Sequence, residues 1–316
     1  MKALVIAVYM GPLPENLPLW LRSAGCNPGV DFLLVTDREA GFDLPANVTS
    51  MITDMARLRD VFARTAEMPV ALESPYKLND FKPMFWALAP NIGDYDYWGY
   101  CDLDVMFGDL SPLLSANRDR FDMLLSEGHL RFLRNSETVR QAYRRVSIPR
   151  TWQDILSDPV TIGMDEHGGI NGVIAQENRP WFADPRMVAD LDPSFRQLRL
   201  LALWRNYRVQ GFFWENGRVF REYWHQGRYG RDEFLYSHIQ KRRLPVDPGC
   251  LTAPAIDITP NGYVPRDAGR TSGRDIGERN PWHLPNLREL AVLARTRRDR
   301  LLGRASVFQP RGSLTA

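Results

Sequence analysis

Ala3-Leu4-Val5-Ile6-Ala7-Val8-Tyr9 is a continuous apolar run closed by Gly11-Pro12, the pattern of a strand buried on both faces. Leu17 to Ala24 carries apolar residues at helical spacing and stops before Gly25. Asp31-Phe32-Leu33-Leu34-Val35-Thr36-Asp37 then predicts a second buried strand ending in a polar pair. Strand, helix and strand in this order predict a βαβ unit, hence a parallel sheet with a right-handed crossover. Such sheets bind ligands beyond the carboxyl ends of their strands. Tyr9-Met10-Gly11 and Thr36-Asp37 both fall at such ends.

Further along, 54–66 predicts a helix, and Asp80 to Leu88 a short one in which Pro83 fits only the first turn. Tyr95-Asp96-Tyr97-Trp98-Gly99-Tyr100-Cys101 predicts an aromatic strand running into Asp102-Leu103-Asp104, with another strand over 121–125. Asn135 or Ser136 can cap a helix through Arg145, and Gly169 to Gln176 predicts a short helix. Asn216-Gly217 supplies the positive φ angles of a hairpin turn within 212–220. Asp232 to Arg243, acidic at its start and basic at its end, predicts a helix by the dipole rule. Pro, Gly and Arg dominate 258–281, with a turn expected at Asn261-Gly262, and Asn286 to Leu302 predicts a last helix. The expected fold is α/β: one Rossmann-type domain over 1–250 with a mostly parallel central sheet. An irregular segment and a basic helix follow over 251–316.

The 316 residues carry 40 basic and 38 acidic side chains, a formal charge of +2. With 44% hydrophobic residues this excludes a mainly disordered chain, and no reader motif points to nucleic acid. Cys26, Cys101 and Cys250 are too far apart for a zinc motif and odd in number for a disulfide framework. The amino-terminal apolar run is short for a signal peptide, and no stretch approaches the roughly 20 apolar residues of a spanning helix. A cytoplasmic protein is the expectation.

Of the 40 cations only Lys2, Lys77, Lys82 and Lys241 are lysine. A compact ammonium among so many guanidinium groups marks places where a point charge is wanted. Asp102 and Asp104 stand two apart at the end of the aromatic strand, where their carboxylates can meet on one side. A divalent cation relieves the repulsion of such a pair, and oxygen ligands select Mg²⁺ or Mn²⁺. A cation held there can neutralise a departing diphosphate.

Two blocks, Ser74-Pro75-Tyr76-Lys77-Leu78-Asn79-Asp80-Phe81-Lys82-Pro83 and Tyr97-Trp98-Gly99-Tyr100-Cys101-Asp102-Leu103-Asp104-Val105-Met106-Phe107-Gly108-Asp109, resemble a family of bacterial GT-A-type glycosyltransferases. That family is often found with polysaccharide-biosynthesis genes. The first two strands, Asp165-Glu166-His167-Gly168-Gly169-Ile170-Asn171 and the segment from Glu233 to Arg242 look like the same family, so the resemblance covers roughly 3–245. It implies a nucleotide-diphosphate sugar donor, a polysaccharide or lipid-linked oligosaccharide acceptor, and Mn²⁺ or Mg²⁺. Asp104 would bind the metal, with Asp102 on the metal or the ribose and His238 as the late ligand. Tyr9, Thr36 and Asp37 would line the base pocket, and Lys77, Asp80 and Lys82 would face ribose and diphosphate. Lys241, one helical step from His238, would reach the diphosphate. Asp165 and Glu166 would serve the acceptor hydroxyl or the transferred sugar, one of them as base if the anomeric centre inverts.

Other classes stay open on the residues alone. Tyr100-Cys101-Asp102-Leu103-Asp104 also fits the first motif of an aspartate-nucleophile phosphatase, although Val105-Met106 follows it. The glycine-poor Gly11-Pro12-Leu13-Pro14 makes a weak phosphate cradle for nucleotidyl transfer. A sugar- or nucleotide-binding protein without turnover would share the fold. The last helix combines Arg288, Arg295, Arg297, Arg298, Arg300 and Arg304 with a leucine-rich side, which suits either peripheral contact with an anionic membrane, at the inner face of the plasma membrane, or packing of the leucines on the main domain with the arginines in water.

Overall fold

The computed structural model describes residues 2–117, 120–165, 168–201, 206–267, 269 and 272–301. Strand β1 (Ala3–Tyr9) pairs in parallel with β2 (Val30–Thr36), from Ala3 opposite Val30 to Tyr9 opposite Thr36. Side chains alternate across a strand, so Leu4 and Ile6 enter one apolar cluster while Ala3, Val5 and Ala7 enter another. That two-sided burial is why the run is apolar throughout. The helix Leu17–Gly25 covers the second face with Leu17, Trp20 and Leu21.

Strand β3 (Val48–Ile52) adds in parallel to β2, and β4 (Tyr97–Cys101) in parallel to β1. Strand β5 (Val105–Phe107) turns away, and the chain returns through β6 (Met123–Leu124), β7 (Leu130–Arg134) and β8 (Trp181–Phe182). The central sheet runs β3-β2-β1-β4-β7-β6-β8, with β7 alone antiparallel to its neighbours. The protein is thus mixed α/β with a mostly parallel central sheet, as the opening pattern requires.

Two smaller sheets complete the described chain. Strands β9 (Val188–Asp190), β10 (Val209–Glu215), β11 (Arg218–His225), β12 (Arg228–Phe234) and β13 (Tyr236–His238) precede β14 (Ala255–Thr259) and β15 (Gly262–Pro265). The order β12-β11-β10-β14-β15 forms an antiparallel sheet, and β5-β13-β9 a three-stranded one. Asn216 (φ 48°) and Gly217 (φ 81°) make the expected hairpin turn.

Three expectations are corrected. Residues 232–243 are not a helix: Asp232 and Glu233 complete β12, and their carboxylates meet Arg221 and Arg218 of the neighbouring strand. The acidic start that suggested a helix dipole is used across the sheet instead. Asp80–Leu88 is no separate helix but part of a 3₁₀ stretch, Pro75–Leu88, with Pro83 inside it. Pro83 has no amide proton for an α-helical ladder, and tighter turns replace that ladder. The segment expected to be irregular holds β14, β15 and the helix Gly273–Arg279. Arg266 and Arg279 of that segment converge on Glu222, which is fully buried, with Asp257 alongside. The last helix, Leu287–Leu301, is anchored at its start by the buried Glu289, which accepts from the amides of Arg196 and Asn286.

Candidate metal and donor site

Asp102 and Asp104 lie in the turn between β4 and β5 rather than within a strand. Their convergence therefore comes from how that turn is held. The Asp102 amide donates to the His129 carbonyl (3.1 Å), and the Ile239 amide donates to the Asp104 carbonyl (3.1 Å). Asn16, just ahead of the first helix, donates to the Leu103 carbonyl at 2.6 Å.

Two glycines of the motif permit the close packing behind it. A Cβ at Gly99 would fall 1.9 Å from the Arg131 carbonyl oxygen, and one at Gly108 would fall 2.6 Å from that of Phe234. The second approach lets β5 pair with β13, with Val105 opposite His238.

His238 is thereby brought against the aspartate pair. Its Nε2 is 3.3 Å from Asp104 Oδ1, and the ligand atoms of Asp102, Asp104 and His238 all lie within 4.8 Å of one another. Its Nδ1 is 2.8 Å from Oδ1 of Asp190, at the end of β9. Gln240 donates to the same oxygen at 2.7 Å. The His238 ring is buried, which works against its charge, but Asp104 and Asp190 on either side raise its pKa to about 10. Asp104 is held below its ordinary value because the burial that would raise it is outweighed by His238.

Lys82 closes the other flank. Its Nζ lies 2.8 Å from Asp102 Oδ1 and 3.3 Å from Asp165 Oδ2, and donates to the Gly128 carbonyl at 3.0 Å. Burial disfavours that ammonium, yet Asp102 and Asp165 raise its pKa. Asp165 itself is buried, with its carbonyl bonded by Arg131. The expectation of Asp165 beside an acceptor hydroxyl is corrected: the carboxylate is turned onto Lys82 and closed from solvent. Glu166, its expected companion, lies outside the described residues.

Lys77 and Asp80 are corrected too. They form an ion pair of 2.8 Å with both side chains at 0% exposure, so neither faces a donor. Lys77 also donates to the carbonyls of Ile155 and Val160, and Asp80 accepts from the amides of Ile162, Gly163 and Met164. The pair fixes the segment that leads into Asp165. Lys241 is exposed in a turn at φ 56°, sharing no helical face with His238.

Tyr9 and Thr36 stand side by side at the carboxyl ends of β1 and β2. Thr36 is buried and donates to the Arg38 carbonyl. Asp37 is exposed, accepts from the Gly11 amide at 3.1 Å and pairs with Arg38, which holds its carboxyl below the usual range.

The donor set fits a divalent cation. Side-chain exposures of 35% at Asp102 and 34% at Asp104 leave the carboxylates reachable from solvent. Asp104 Oδ1 is nevertheless a buried atom that accepts no aligned hydrogen bond. Two carboxylates and one imidazole suit Mn²⁺ or Mg²⁺, and a bound ion would take the place of the His238 proton. His129, which follows Gly128 and was expected as an acceptor contact or a plain loop residue, is buried beside His238 instead; Asp190 was not foreseen from the sequence. Val188-Ala189-Asp190 is a three-residue strand with no motif around it, and its one signal is an acid directly after apolar residues.

A family model described as a family of unknown function (DUF6625) matches residues 5–267. The chain belongs to that family. No curated protein matches this DUF6625 chain. Among solved structures it is similar to the apo-form glycosyltransferase GlyE of Streptococcus pneumoniae TIGR4, at 14% identity and a TM-score of 0.37. That match covers 60% of this chain and 46% of GlyE, so the DUF6625 chain spans less than half of that protein's length. It is also similar to mouse xyloside xylosyltransferase 1 in its apo form (12% identity, TM-score 0.36, covering 62% of this chain and 89% of that one). The galactosyltransferase LgtC, in complex with donor and acceptor sugar analogs, matches at 11% identity and a TM-score of 0.31, over 59% of this chain and 76% of that one.

Proposed function

We propose that this chain is a metal-dependent glycosyltransferase, moving a sugar from a nucleotide-diphosphate sugar to a polysaccharide or lipid-linked oligosaccharide. The observation that carries the reading is the meeting of Asp102, Asp104 and His238 beyond the end of β4. Two half-buried acids of one turn and a histidine from a strand far along the chain bring two carboxylates and an imidazole nitrogen within reach of one ion. The ion, when bound, supplies positive charge for the leaving diphosphate.

The chain's own groups do the rest. Lys82 holds Asp102 in place and adds fixed positive charge beside the diphosphate, while Asp165 keeps Lys82 oriented. Asp190 fixes the His238 ring so that Nε2 faces Asp104. Tyr9, Thr36 and Asp37, at the adjoining strand ends, are proposed to line the pocket of the nucleotide base. Lys241, exposed nearby in sequence, is kept as a candidate diphosphate contact. Glu166 is kept as the candidate base for an inverting reaction.

No helix among the described residues is long and apolar enough to cross a membrane. We propose a peripheral contact instead, at the inner face of the plasma membrane, through the last helix. Leu284, just ahead of it, and Leu287, its first residue, are 78% and 86% exposed, and Arg295, Arg297 and Arg298 follow.

The deciding experiment is a thermal-shift and turnover screen of nucleoside diphosphates and nucleotide sugars, with and without Mn²⁺. Manganese-dependent sugar transfer or slow donor hydrolysis, lost in Asp104→Asn, is expected. A fully active Asp104→Asn protein, or release of inorganic phosphate from simple monoesters instead, sinks the assignment.

A further inference from the structure

His238 takes part in a second cluster. Asp190, whose Oδ1 meets His238 Nδ1, has its other oxygen 3.8 Å from Nε2 of His129. The rings of His129 and His238 stack with centroids 4.0 Å apart and planes at 25°. His129 is 6% exposed, and its Nε2 is buried without a hydrogen-bond partner. Its Nδ1 lies 2.9 Å from the Tyr236 hydroxyl. With the proton on Nδ1 donated to that oxygen, the Nε2 lone pair faces Asp190. A buried ring nitrogen with nothing to bind is a cost that a ligand would remove.

The ligand atoms of His129, Asp190 and His238 lie within 4.8 Å of one another. Ligands about 2.0–2.1 Å from a tetrahedral zinc stand about 3.3–3.4 Å apart. The separations of 2.8 and 3.8 Å to the two Asp190 oxygens bracket that value. Two imidazoles and one carboxylate suit a zinc-class ion, whereas the Asp102–Asp104 side is richer in oxygen.

We propose that His129, Asp190 and His238 form a second divalent-cation position, of zinc class, beside the Asp102–Asp104–His238 position. A neutral imidazole offers one lone pair, so His238 serves one ion at a time. Zinc therefore excludes manganese from the neighbouring position and acts as an inhibitor of the sugar transfer. The competition rests on the proposed function; the zinc position does not.

The test uses the full chain, with Zn²⁺ by equilibrium dialysis and Mn²⁺ by the paramagnetic signal of the free ion. His129→Gln is expected to weaken zinc binding by about tenfold or more, while Asp102→Asn keeps zinc and loses manganese. In the unaltered protein, added zinc should release bound manganese. The exposed thiol of Cys26 is the competing zinc ligand, so Cys26→Ser is carried alongside. Zinc-edge X-ray absorption of the unaltered protein keeps the idea falsifiable should His129→Gln fail to fold. Two imidazole ligands and no sulfur support it; sulfur ligation overturns it. Zinc held equally by His129→Gln, or no zinc uptake at all, also overturns it. Manganese affinity unaltered in Asp102→Asn would instead remove the proposed function and leave the zinc position standing.

Discussion

Lys77 and Asp80, three residues apart, form a 2.8 Å ion pair that solvent does not reach. Every donor of the ammonium is used, and the carboxylate gathers three successive amides of 162–164. Removing one partner of such a pair strands the other's charge. Lys77→Met is therefore expected to cost about 3–5 kcal/mol of stability. Denaturant unfolding reads that loss, and hydrogen exchange should show it first at the amides of Ile162 to Met164. An unchanged midpoint would mean the pair contributes nothing.

Asp190 acts on the Asp102–Asp104–His238 position through His238 rather than by reaching it. Asp190→Asn keeps the shape but replaces an accepting oxygen pair with an amide. Manganese affinity is expected to fall about 10–100-fold, with overall stability falling less than for Lys77→Met. Titration with manganese alone, before any substrate is added, checks it. Equal affinity in both proteins would show that the pairing of β13 with β5 and β9 suffices to hold the ring.

Glu289 gives a pH dependence with a definite sign. Its burial would raise the carboxyl, but the Asn286 and Arg196 amides and His283 hold it below its ordinary value. A depressed carboxyl contributes stability that is fully present above its unfolded value of about 4.3 and lost as pH falls through the lower folded value. The start of the last helix should thus loosen in acid before the central sheet does. Limited proteolysis near 283–296 across that range reads it, and Glu289→Gln should flatten the dependence. Equal protection at neutral and acid pH in the unaltered protein would contradict it.

Deleting 286–316 is expected to abolish association with anionic liposomes while leaving manganese binding intact. Sedimentation with vesicles of anionic and of neutral lipid separates charge attraction from apolar insertion. Unchanged partitioning would remove the membrane contact.

The sequence disclosed its parallel sheet because β1 and β2 are buried on both faces, and only continuous apolar runs satisfy that. It disclosed the hairpin because Asn216-Gly217 has few other uses. Elsewhere residue type misled. The scarcity of lysine suggested that Lys77 meets a ligand, yet its ammonium is buried on Asp80 and on two carbonyls of the chain itself. The acids at 232–233 imitated a helix start because charge order along a chain does not say which neighbour answers it. Asp190 left only a faint trace, an acid directly after apolar residues: its value comes from His238 lying opposite it in β13, and such a pairing has no local code.

The three-stranded sheet draws β5, β9 and β13 from distant parts of the chain. A growing polypeptide on the ribosome therefore exposes both motif aspartates long before their histidine is made. Any fragment ending short of β13 keeps the recognisable signature yet lacks the histidine of the three-residue cluster, so on the proposed function proteolytic trimming from the carboxyl side would disarm the protein while leaving its most conspicuous sequence intact.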